Sequence, residues 1–576
     1  MNGAVDGGAA PTRQSPVAPP EPDSRVARFT KRELLLASLV AVVLAVLHTW
    51  PLGLDLSDHF PAIGYGDPYI TSWWIAWDGY ALLHQPLNFF DANVFWPLKD
   101  TLAMSDATIG YTPFALIGSG AVAAVVRYNL LIIFSYALGF VGTYLLAREL
   151  KVSPAAAAVA GAIFAYAPFR MDQATHLQIL SSGGIPLALF VLLRGYKSGS
   201  TWTVFVGWLV ATWQLSIGFS LGIPFGYLLG ALGVIAFCVW LVRKRPRLPA
   251  SMVKVTAIGM LIFTAYGALQ ALPYLQLTSE FPEGRRTEAD IAFYSPPPRG
   301  LLSAPPGNLL WGKTTESFRM TIDRADEKSY FPGALPVVLA VAGLTAVGWS
   351  RSLRLGLGVG VVGTTLLALG YGVPGGRWMF GILFRYFPGW EATRTPGRLM
   401  TLTTLGLALL GAIGAERTRR QLVPKIRSAR APLLASCAVV ALAGGIVVEG
   451  SGSIPQTEVK PVPPGQIGVP GPQFHIPSDE ISDRYYMLWS TEGFPPIVNG
   501  EGAFGPPFRA EIRAVTVNFP DQASVEYLRS HGIVSIVFHP DLAVGTQWEQ
   551  VPTRPVEGLP LTRTDTGGVI VYRIEP

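Results

Sequence analysis

Long apolar runs recur along the first 450 residues of the chain. A membrane-spanning helix needs about 20 mostly apolar residues to cross about 30 Å of hydrocarbon. Runs of suitable length cover residues 33–54, 130–147, 152–168, 178–193, 202–216, 219–242, 255–275, 332–349, 355–373, 399–415 and 431–449. The pattern predicts a mainly α-helical, polytopic membrane protein of about eleven transmembrane helices.

Basic residues predict how these helices are oriented. Four of them, Arg25, Arg28, Lys31 and Arg32, stand just before the first run. Because cytoplasmic loops carry an excess of Lys and Arg, we expect a cytoplasmic N-terminus and a first helix that serves as an uncleaved anchor. The cytoplasmic loops are then those that contain Arg148 and Lys151, Arg194 and Lys197, Arg243 to Arg247, Arg351 and Arg354, and Arg417 to Arg430. These are the short basic loops, so the sequence predicts a multi-pass protein of the plasma (inner) membrane.

Composition divides the chain into four parts. Residues 1–32 form a disordered cytoplasmic tail rich in Ala, Pro, Gly and Ser, and residues 33–450 form the transmembrane module. The Pro- and Gly-rich stretch 451–477 is a linker or extended connector, and residues 478–576 form a small extracytoplasmic α/β domain. In that domain we expect a helix over 524–530 and strands over 533–538 and 569–574. The net charge is +12 up to residue 450 and −6 beyond it, which fits two chemically different parts.

The composition also excludes several classes of protein. Half of the residues are hydrophobic, 14% are charged and the mean hydropathy is +0.37, so too little polar surface exists to cover a water-soluble globule. The basic excess belongs to membrane topology and gives no case for nucleic-acid binding. Cys238 and Cys437 lie in apolar runs, where we expect small buried hydrophobes without a metal or disulfide role. The zinc-protease pattern HExxH does not occur, so metalloproteolysis has no support.

Under this topology, three long segments are predicted to lie outside the cytoplasm: 51–129, 276–331 and 374–398. The first contains seven aspartates interleaved with tryptophans, among them Trp73. Asp67 precedes Pro68 at the start of a helix-like run, so it is either an N-cap or a carboxylate that faces a cavity as a general base. The short apolar stretch 114–126 is expected to lie as a helix in the outer interface.

A second polar cluster, residues 169–178, connects two predicted spans on the same, non-cytoplasmic side of the membrane. It contains Arg170, Asp172 and His176, and polar groups this dense between spans are costly unless they line a watery site or meet the first loop. His176 could bind a phosphate or orient an acid, although a loop histidine is more often hydrogen-bonded only locally.

The third cluster has arginines in a segment predicted to lie outside the cytoplasm, although Lys and Arg are normally enriched in cytoplasmic loops. Arg377, Arg385, Arg394 and Arg398 lie in the outer segment 374–398, with Glu391 as the opposing acid. Guanidinium groups at headgroup level suit a substrate phosphate. They could equally hold anionic lipid headgroups or pair with carboxylates of the first loop. The run 380–387 is amphipathic enough to lie on the membrane.

This layout resembles the GT-C glycosyltransferase superfamily, which includes protein O-mannosyltransferases, aminoarabinose transferases and oligosaccharyltransferases. The matching stretches are Gly66-Asp67-Pro68-Tyr69 with Trp73 to Trp77, Asn88 to Pro97, Phe169 to Gln178, Tyr330-Phe331-Pro332-Gly333 and Arg394-Thr395-Pro396-Gly397-Arg398. Val498-Asn499-Gly500 and Phe519-Pro520-Asp521 add to the likeness. The motifs are short, and the likeness covers most of the chain in layout.

The resemblance implies a membrane glycosyltransferase that moves a sugar from a polyprenyl-phosphate donor to an extracytoplasmic glycan, lipid or protein acceptor, with inversion. Asp67 would be the base. The family often has paired acids near the first span, whereas Pro68 follows Asp67 here, so Asp58 is the second candidate. Arg394 and Arg398 would stabilise the leaving phosphate. No nucleotide or other cofactor is expected, and a divalent metal is possible.

Two alternatives belong to other classes. A transporter or flippase of a lipid-linked or anionic solute would need charges inside the spans and an internal repeat. A non-catalytic cell-envelope assembly protein would use the C-terminal domain to recruit a partner. In that domain the aromatic stretch 485–490 could stack on sugars, but aromatic residues of a small fold more often form its core.

Overall fold

The computed structural model describes residues 26–61, 66–242 and 248–575. Most of the tail predicted to be disordered, residues 1–25, and the predicted basic loop 243–247 lie outside the described residues. The helices up to residue 280 are α1 (Lys31–His48), α2 (Asp67–His84), α3 (Thr112–Ala115), α4 (Gly120–Arg148), α5 (Pro154–Ala165), α6 (Leu177–Leu180), α7 (Gly184–Ser198), α8 (Thr201–Ile217), α9 (Phe219–Val242) and α10 (Ala250–Glu280). Those that follow are α11 (Glu288–Tyr294), α12 (Glu316–Arg319), α13 (Ala325–Lys328), α14 (Ala334–Leu344), α15 (Arg351–Leu369), α16 (Gly376–Tyr386), α17 (Met400–Leu422), α18 (Ala431–Gly450), α19 (Glu480–Trp489), α20 (Pro507–Val515), α21 (Gln522–Ser530) and α22 (Pro540–Ala543).

The chain is a mainly α-helical, polytopic membrane protein. Seven helical segments within the described ranges are long and apolar enough to cross a bilayer: Gly120–Arg148, Leu177–Ser198, Phe219–Val242, Ala250–Glu280, Arg351–Gly372, Pro396–Lys425 and Ala431–Gly450. The other four predicted spans correspond to α1, α5, α8 and α14, which have 18, 12, 17 and 11 residues. The total of eleven spans stays a prediction. Cys238 and Cys437 are exposed on α9 and α18, not buried as expected, because these helices turn apolar surface outward.

The stretch 114–126 is not one interfacial helix. Helix α3 ends at Ala115, and Gly118 and Gly120 adopt left-handed backbone angles, which glycine tolerates without steric cost. Helix α4 then begins at Gly120 and continues through the predicted span. Arg127, which is buried, donates hydrogen bonds of 2.7 and 2.8 Å to the carbonyls of Ile117 and Gly118. The prediction was wrong because the chain turns at Gly118 and Gly120, and Arg127 binds the carbonyl groups of that turn from within α4.

The segments predicted to be cytoplasmic meet at one end of the bundle. Arg148 pairs with Glu33 of α1 at 2.7 Å, and Glu149 pairs with Arg194 and Lys197 at 2.9 and 3.2 Å. The grouping of these loops is what the charge pattern predicts, whereas the compartment that this end faces stays a prediction.

The C-terminal part is a small α/β unit. Its sheet has the order β3 (Gln473–Ile476), β4 (Ser535–Phe538), β6 (Val569–Ile574) and β5 (Leu561–Thr566). Strands β3 and β4 are parallel, and the other pairs are antiparallel. The expected helix over 524–530 is part of α21, and the two expected strands are β4 and β6.

The stretch expected to be a linker is built into the structure. Strand β2 (Thr457–Glu458) pairs antiparallel with β1 (His59–Phe60) of the first outer segment, and β3 also begins before residue 477. Tyr485 of α19 packs edge-on to Tyr69 of α2, with ring centroids 5.1 Å apart. The aromatic residues of 485–490 are buried, so this stretch is core. The C-terminal unit therefore rests on the helix that begins with Asp67.

Candidate functional site

Asp67 and His176 are brought together at the end of the bundle opposite the Arg148–Glu33 pair. Asp67 is the first residue of α2, and Gly66 is the N-cap residue. The carboxylate therefore is not the N-cap, which was the alternative interpretation of Asp67. One carboxylate oxygen lies 3.3 Å from Nε2 of His176, and 40% of the Asp67 side chain is exposed. An acid that is both held by an imidazole and open to solvent can accept a proton from an incoming group.

The third member of the site is Glu327, which the sequence alone did not single out. It lies in the short helix α13, and its Oε1 approaches the same Nε2 of His176 at 3.6 Å. Its side chain is almost fully buried. The sequence feature that could have pointed to Glu327 is the charged run 323–328. It lies one residue before Tyr330-Phe331-Pro332-Gly333, one of the motifs that carry the family resemblance. Asp67, His176 and Glu327 come from three segments that are far apart in the sequence.

Arginines surround this carboxylate. Burial raises the pKa of Glu327, but the positive charge of Arg398, followed by those of His176, Arg394 and Arg324, lowers it to a net value below the usual range. Arg398 is 8% exposed, and its Nε has no hydrogen-bond partner in the described part of the chain. The two arginines predicted as a phosphate clamp therefore lie within electrostatic reach of Glu327, and Glu327 contacts His176.

An aromatic ring organises the cationic side of the site. The guanidinium of Arg394 lies 4.6 Å from the centroid of the Tyr294 ring, and that of Arg324 lies 5.5 Å from it. Burial, followed by the charge of Arg394, lowers the pKa of Arg286, so this third guanidinium belongs to the same group. Cation–π contacts hold like charges near one another without neutralising them. The result is a concentration of positive charge suited to an oligo-anionic ligand.

Asp172 lies within electrostatic reach of Asp326, Arg319 and Glu327. One of its carboxyl oxygens is inaccessible to solvent and has no hydrogen-bond partner among the residues described. Burial, followed by the negative charge of Asp326, raises its pKa to about 8. At neutral pH it is therefore mostly a neutral acid that can donate a hydrogen bond.

Arg170 and Trp73 are built into the protein interior. The Arg170 guanidinium donates to the Leu180 carbonyl at 2.8 Å and to the Ser182 hydroxyl at 3.2 Å, and it is 1% exposed. Trp73 donates from Nε1 to Oδ1 of Asn93 at 3.1 Å. Their polar groups are thus engaged by the protein, which gives both a visible structural role.

Asp58 and Arg385 lie at exposed positions with partners of their own. Asp58 faces Nδ1 of its neighbour His59 at 3.0 Å. Arg385, near the end of α16, forms an ion pair with Glu288. The structure therefore joins Asp67, His176, Arg394 and Arg398 to one site through Glu327, whereas Asp58 and Arg385 have contacts of a different kind.

One group of side chains within the described residues brings possible metal ligands close together. Asp55, Asp58 and His59 place one ligand atom each within 4.8 Å of the others, near the surface. Asp67, His176 and Glu327 do not form such a group, although both carboxylates approach the same imidazole nitrogen. The Oε2 of Glu327 is inaccessible to solvent and has no hydrogen-bond partner among the described residues.

Comparisons with known proteins add a similarity of overall arrangement. No family model and no curated protein matches the chain. The chain is similar to a crystal structure of the Archaeoglobus fulgidus oligosaccharyltransferase tethered to an acceptor peptide that contains the NVT sequon, with a TM-score of 0.41 and 12% identity over 95% of this chain and 74% of that one. It is also similar to the apo form of that protein, with a TM-score of 0.38 and 12% identity over 94% and 74% of the two chains.

Proposed function

We propose that the protein is a membrane glycosyltransferase that moves a sugar from a polyprenyl-phosphate donor to a hydroxyl or amide acceptor outside the cytoplasm, with inversion at the anomeric carbon. The observation that carries the proposal is the placement of the partly exposed Asp67 carboxylate 3.3 Å from His176, beside the Glu327 and arginine cluster. A base and a cationic clamp in one site are what displacement of a phosphate from a sugar requires.

Asp67 is proposed to act as the base. The acceptor oxygen or nitrogen attacks the anomeric carbon and loses its proton to the Asp67 carboxylate as the new glycosidic bond forms. His176 lies against the carboxylate and restricts its orientation, since Nδ1 of the ring is engaged by the Thr175 hydroxyl at 3.2 Å. A general base of this kind contributes about 10²- to 10⁴-fold to a rate.

The arginines are proposed to hold the leaving group. As the bond between the anomeric carbon and the phosphate oxygen breaks, the electron pair stays on the phosphate, which leaves as the polyprenyl phosphate. Arg398, which is buried, and the half-buried Arg394 would offset this growing negative charge. A phosphate that leaves as an anion needs no proton, so one base is sufficient.

Among the described residues, the group close enough to share one metal ion is Asp55, Asp58 and His59, so we assign no divalent cation to Asp67, His176 and Glu327. The roles of Asp67 as base and of the arginines as clamp do not depend on it.

The proposal is tested with the full-length chain in nanodiscs. The donors are farnesyl phosphates carrying radiolabelled mannose, glucose or arabinose, and the acceptor is a cell-envelope fraction. Asp67→Asn should lower the sugar transfer by about 100-fold or more, because an amide cannot take the proton. Asp58→Asn is the matched control and should retain transfer. Unchanged transfer in Asp67→Asn would contradict the proposal, and loss of transfer in Asp58→Asn alone would move the base there.

A further inference from the structure

The arginine loop 394–398 packs tightly against two other segments of the chain. A Cβ atom added to Gly397 would overlap the ring edge of Tyr330, so the backbone of the loop lies directly against this ring. Pro396 packs in the same way against Gly370, where an added Cβ atom would lie 2.7 Å from the proline Cγ. All of these residues are buried. Because a close-packed interior yields little, the two contacts fix the position of the loop.

Tyr330 belongs to the segment that carries Glu327, three residues earlier. Its backbone is held on both sides of the ring. The N–H of Tyr330 donates to the Gly300 carbonyl at 2.8 Å, and the N–H of Phe331 donates to the Ser303 carbonyl at 3.1 Å. The Tyr330 side chain is 0% exposed. The ring therefore has a defined position relative to Glu327.

Tyr330 also contacts the segment that carries His176. The centroid of its ring lies 5.6 Å from that of Phe169, and the N–H of Phe169 donates to the Phe331 carbonyl at 3.3 Å. Phe169 lies in the helical turns Pro168–Thr175, which end directly before His176. The position of Tyr330 thus bears on that of His176.

The ring of Tyr330, and not its hydroxyl, makes these contacts. The hydroxyl is inaccessible to solvent and has no hydrogen-bond partner among the described residues. Gly397 allows the backbone to approach the ring because it has no Cβ atom. The pair is therefore a steric contact, which a change in the size of either residue alters.

We propose that Tyr330 is a positioning residue that sets the spacing between the Asp67–His176 pair and the arginines of loop 394–398. Sugar transfer needs a base at the acceptor and positive charge at the leaving phosphate at the same time, and a displacement of about 1 Å can lower a rate about 100-fold. Binding of a lipid phosphate without a sugar needs the arginines alone. This inference rests on the proposed function and adds the residue that holds its two parts at a fixed distance.

The test separates the rate of transfer from the binding of phosphate. Full-length protein in nanodiscs is assayed for sugar transfer at saturating glycosylated farnesyl phosphate and for the binding of farnesyl phosphate. Tyr330→Leu removes the ring and should lower kcat by about tenfold or more, while farnesyl phosphate should bind within about threefold of the native affinity. Tyr330→Phe keeps the ring and should transfer within about twofold of the native rate.

A second pair of variants tests the steric contact itself. Gly397→Ala adds a methyl group that overlaps the Tyr330 ring, and kcat should fall by about tenfold or more. Combining it with Tyr330→Leu makes room for the methyl group, so transfer should be at least about threefold faster than in Gly397→Ala alone. Gly259→Ala is the matched control, because an added Cβ atom there overlaps the ring of Trp208, between α10 and α8. It should retain the native kcat.

Two results would overturn the inference. One is an equal loss of kcat and of affinity for farnesyl phosphate in Tyr330→Leu, which a merely structural role predicts. The other is a double variant that transfers no faster than Gly397→Ala. A native protein that transfers no sugar would instead contradict the proposed function. Thermal unfolding still tests the contact in that case, since a double variant that unfolds below both single variants would overturn the inference.

Discussion

The carboxylate of Asp67 and Nε2 of His176 lie 3.3 Å apart, although the two residues are more than 100 positions apart in the chain. The contact fixes the relation between the start of α2 and the loop 169–178. Glu327 of the segment 276–331 also approaches this nitrogen, at 3.6 Å, so that segment joins the same contact. The candidate site is thus a meeting point of loops that the membrane helices hold in place.

Arg398 should carry much of the affinity for phosphate. Arg398→Gln removes a buried charge and should weaken the binding of farnesyl phosphate by about 30-fold, or about 2 kcal/mol, as expected for a charge-assisted hydrogen bond. The matched variant Arg385→Gln removes an exposed arginine paired with Glu288 and should bind within a factor of two or so of the native protein. Titration in nanodiscs measures both. Equal losses in the two variants would argue against a specific clamp.

His176 should act through Asp67. His176→Asn removes the ring nitrogen that faces the carboxylate and should lower the sugar transfer by about tenfold or more, since a base that is poorly oriented is less effective. His84→Asn is the control, because His84 is an exposed histidine stacked on Tyr80. Initial rates of transfer measure the effect. A normal rate in His176→Asn would remove the imidazole from the mechanism.

Asp172 should make stability depend on pH. Its pKa is about 8 in the folded protein, against an ordinary value of 3.8, so between these values the folded protein holds a proton that the unfolded chain has lost. The free energy of unfolding should therefore fall as the pH rises from about 4 to about 8, with the decrease complete above that range. Thermal unfolding at several pH values should show a smaller decrease for Asp172→Asn than for the native protein. Parallel curves for the two proteins would refute the assignment.

Asn93 should hold the C-terminal unit against α2. Its side chain accepts from Trp73 at 3.1 Å and donates to the Pro495 carbonyl at 2.8 Å. Asn93→Ala leaves both groups without this partner and should lower the free energy of unfolding by about 2 kcal/mol. Thermal unfolding followed by tryptophan fluorescence measures the loss. Asn88→Ala, at an exposed position, should change stability by less than about 0.5 kcal/mol, and a similar loss there would show that the effect is not specific.

The long apolar helices could be predicted from the sequence because their signal is local. The predicted run 219–242 is α9, and the run 431–449 differs from α18 by one residue. Helices α5 and α14 are shorter than their predicted spans, since apolar residues continue beyond the helical hydrogen bonding. The small sheet could be anticipated at β4 and β6, where short apolar runs indicate buried strands, whereas the pairing of β2 with β1 depends on a distant segment.

The site could be predicted only in part, because its contacts join distant segments. Asp67, His176, Arg394 and Arg398 stand out as charged residues in predicted outer loops. Glu327 does not, since the short helix α13 has no periodic pattern. Arg170 was a candidate as a loop arginine, and only the packing shows that Leu180 and Ser182 accept its hydrogen bonds.

The most direct measurement is a cryo-electron microscopy map of the full-length protein in nanodiscs with a glycosylated farnesyl phosphate. We expect phosphate density in contact with Arg398 or Arg394, with the anomeric carbon facing the Asp67 carboxylate. Density for the phosphate at the Arg148 end of the bundle, or a sugar separated from Asp67 by intervening protein, would contradict the proposed glycosyl transfer.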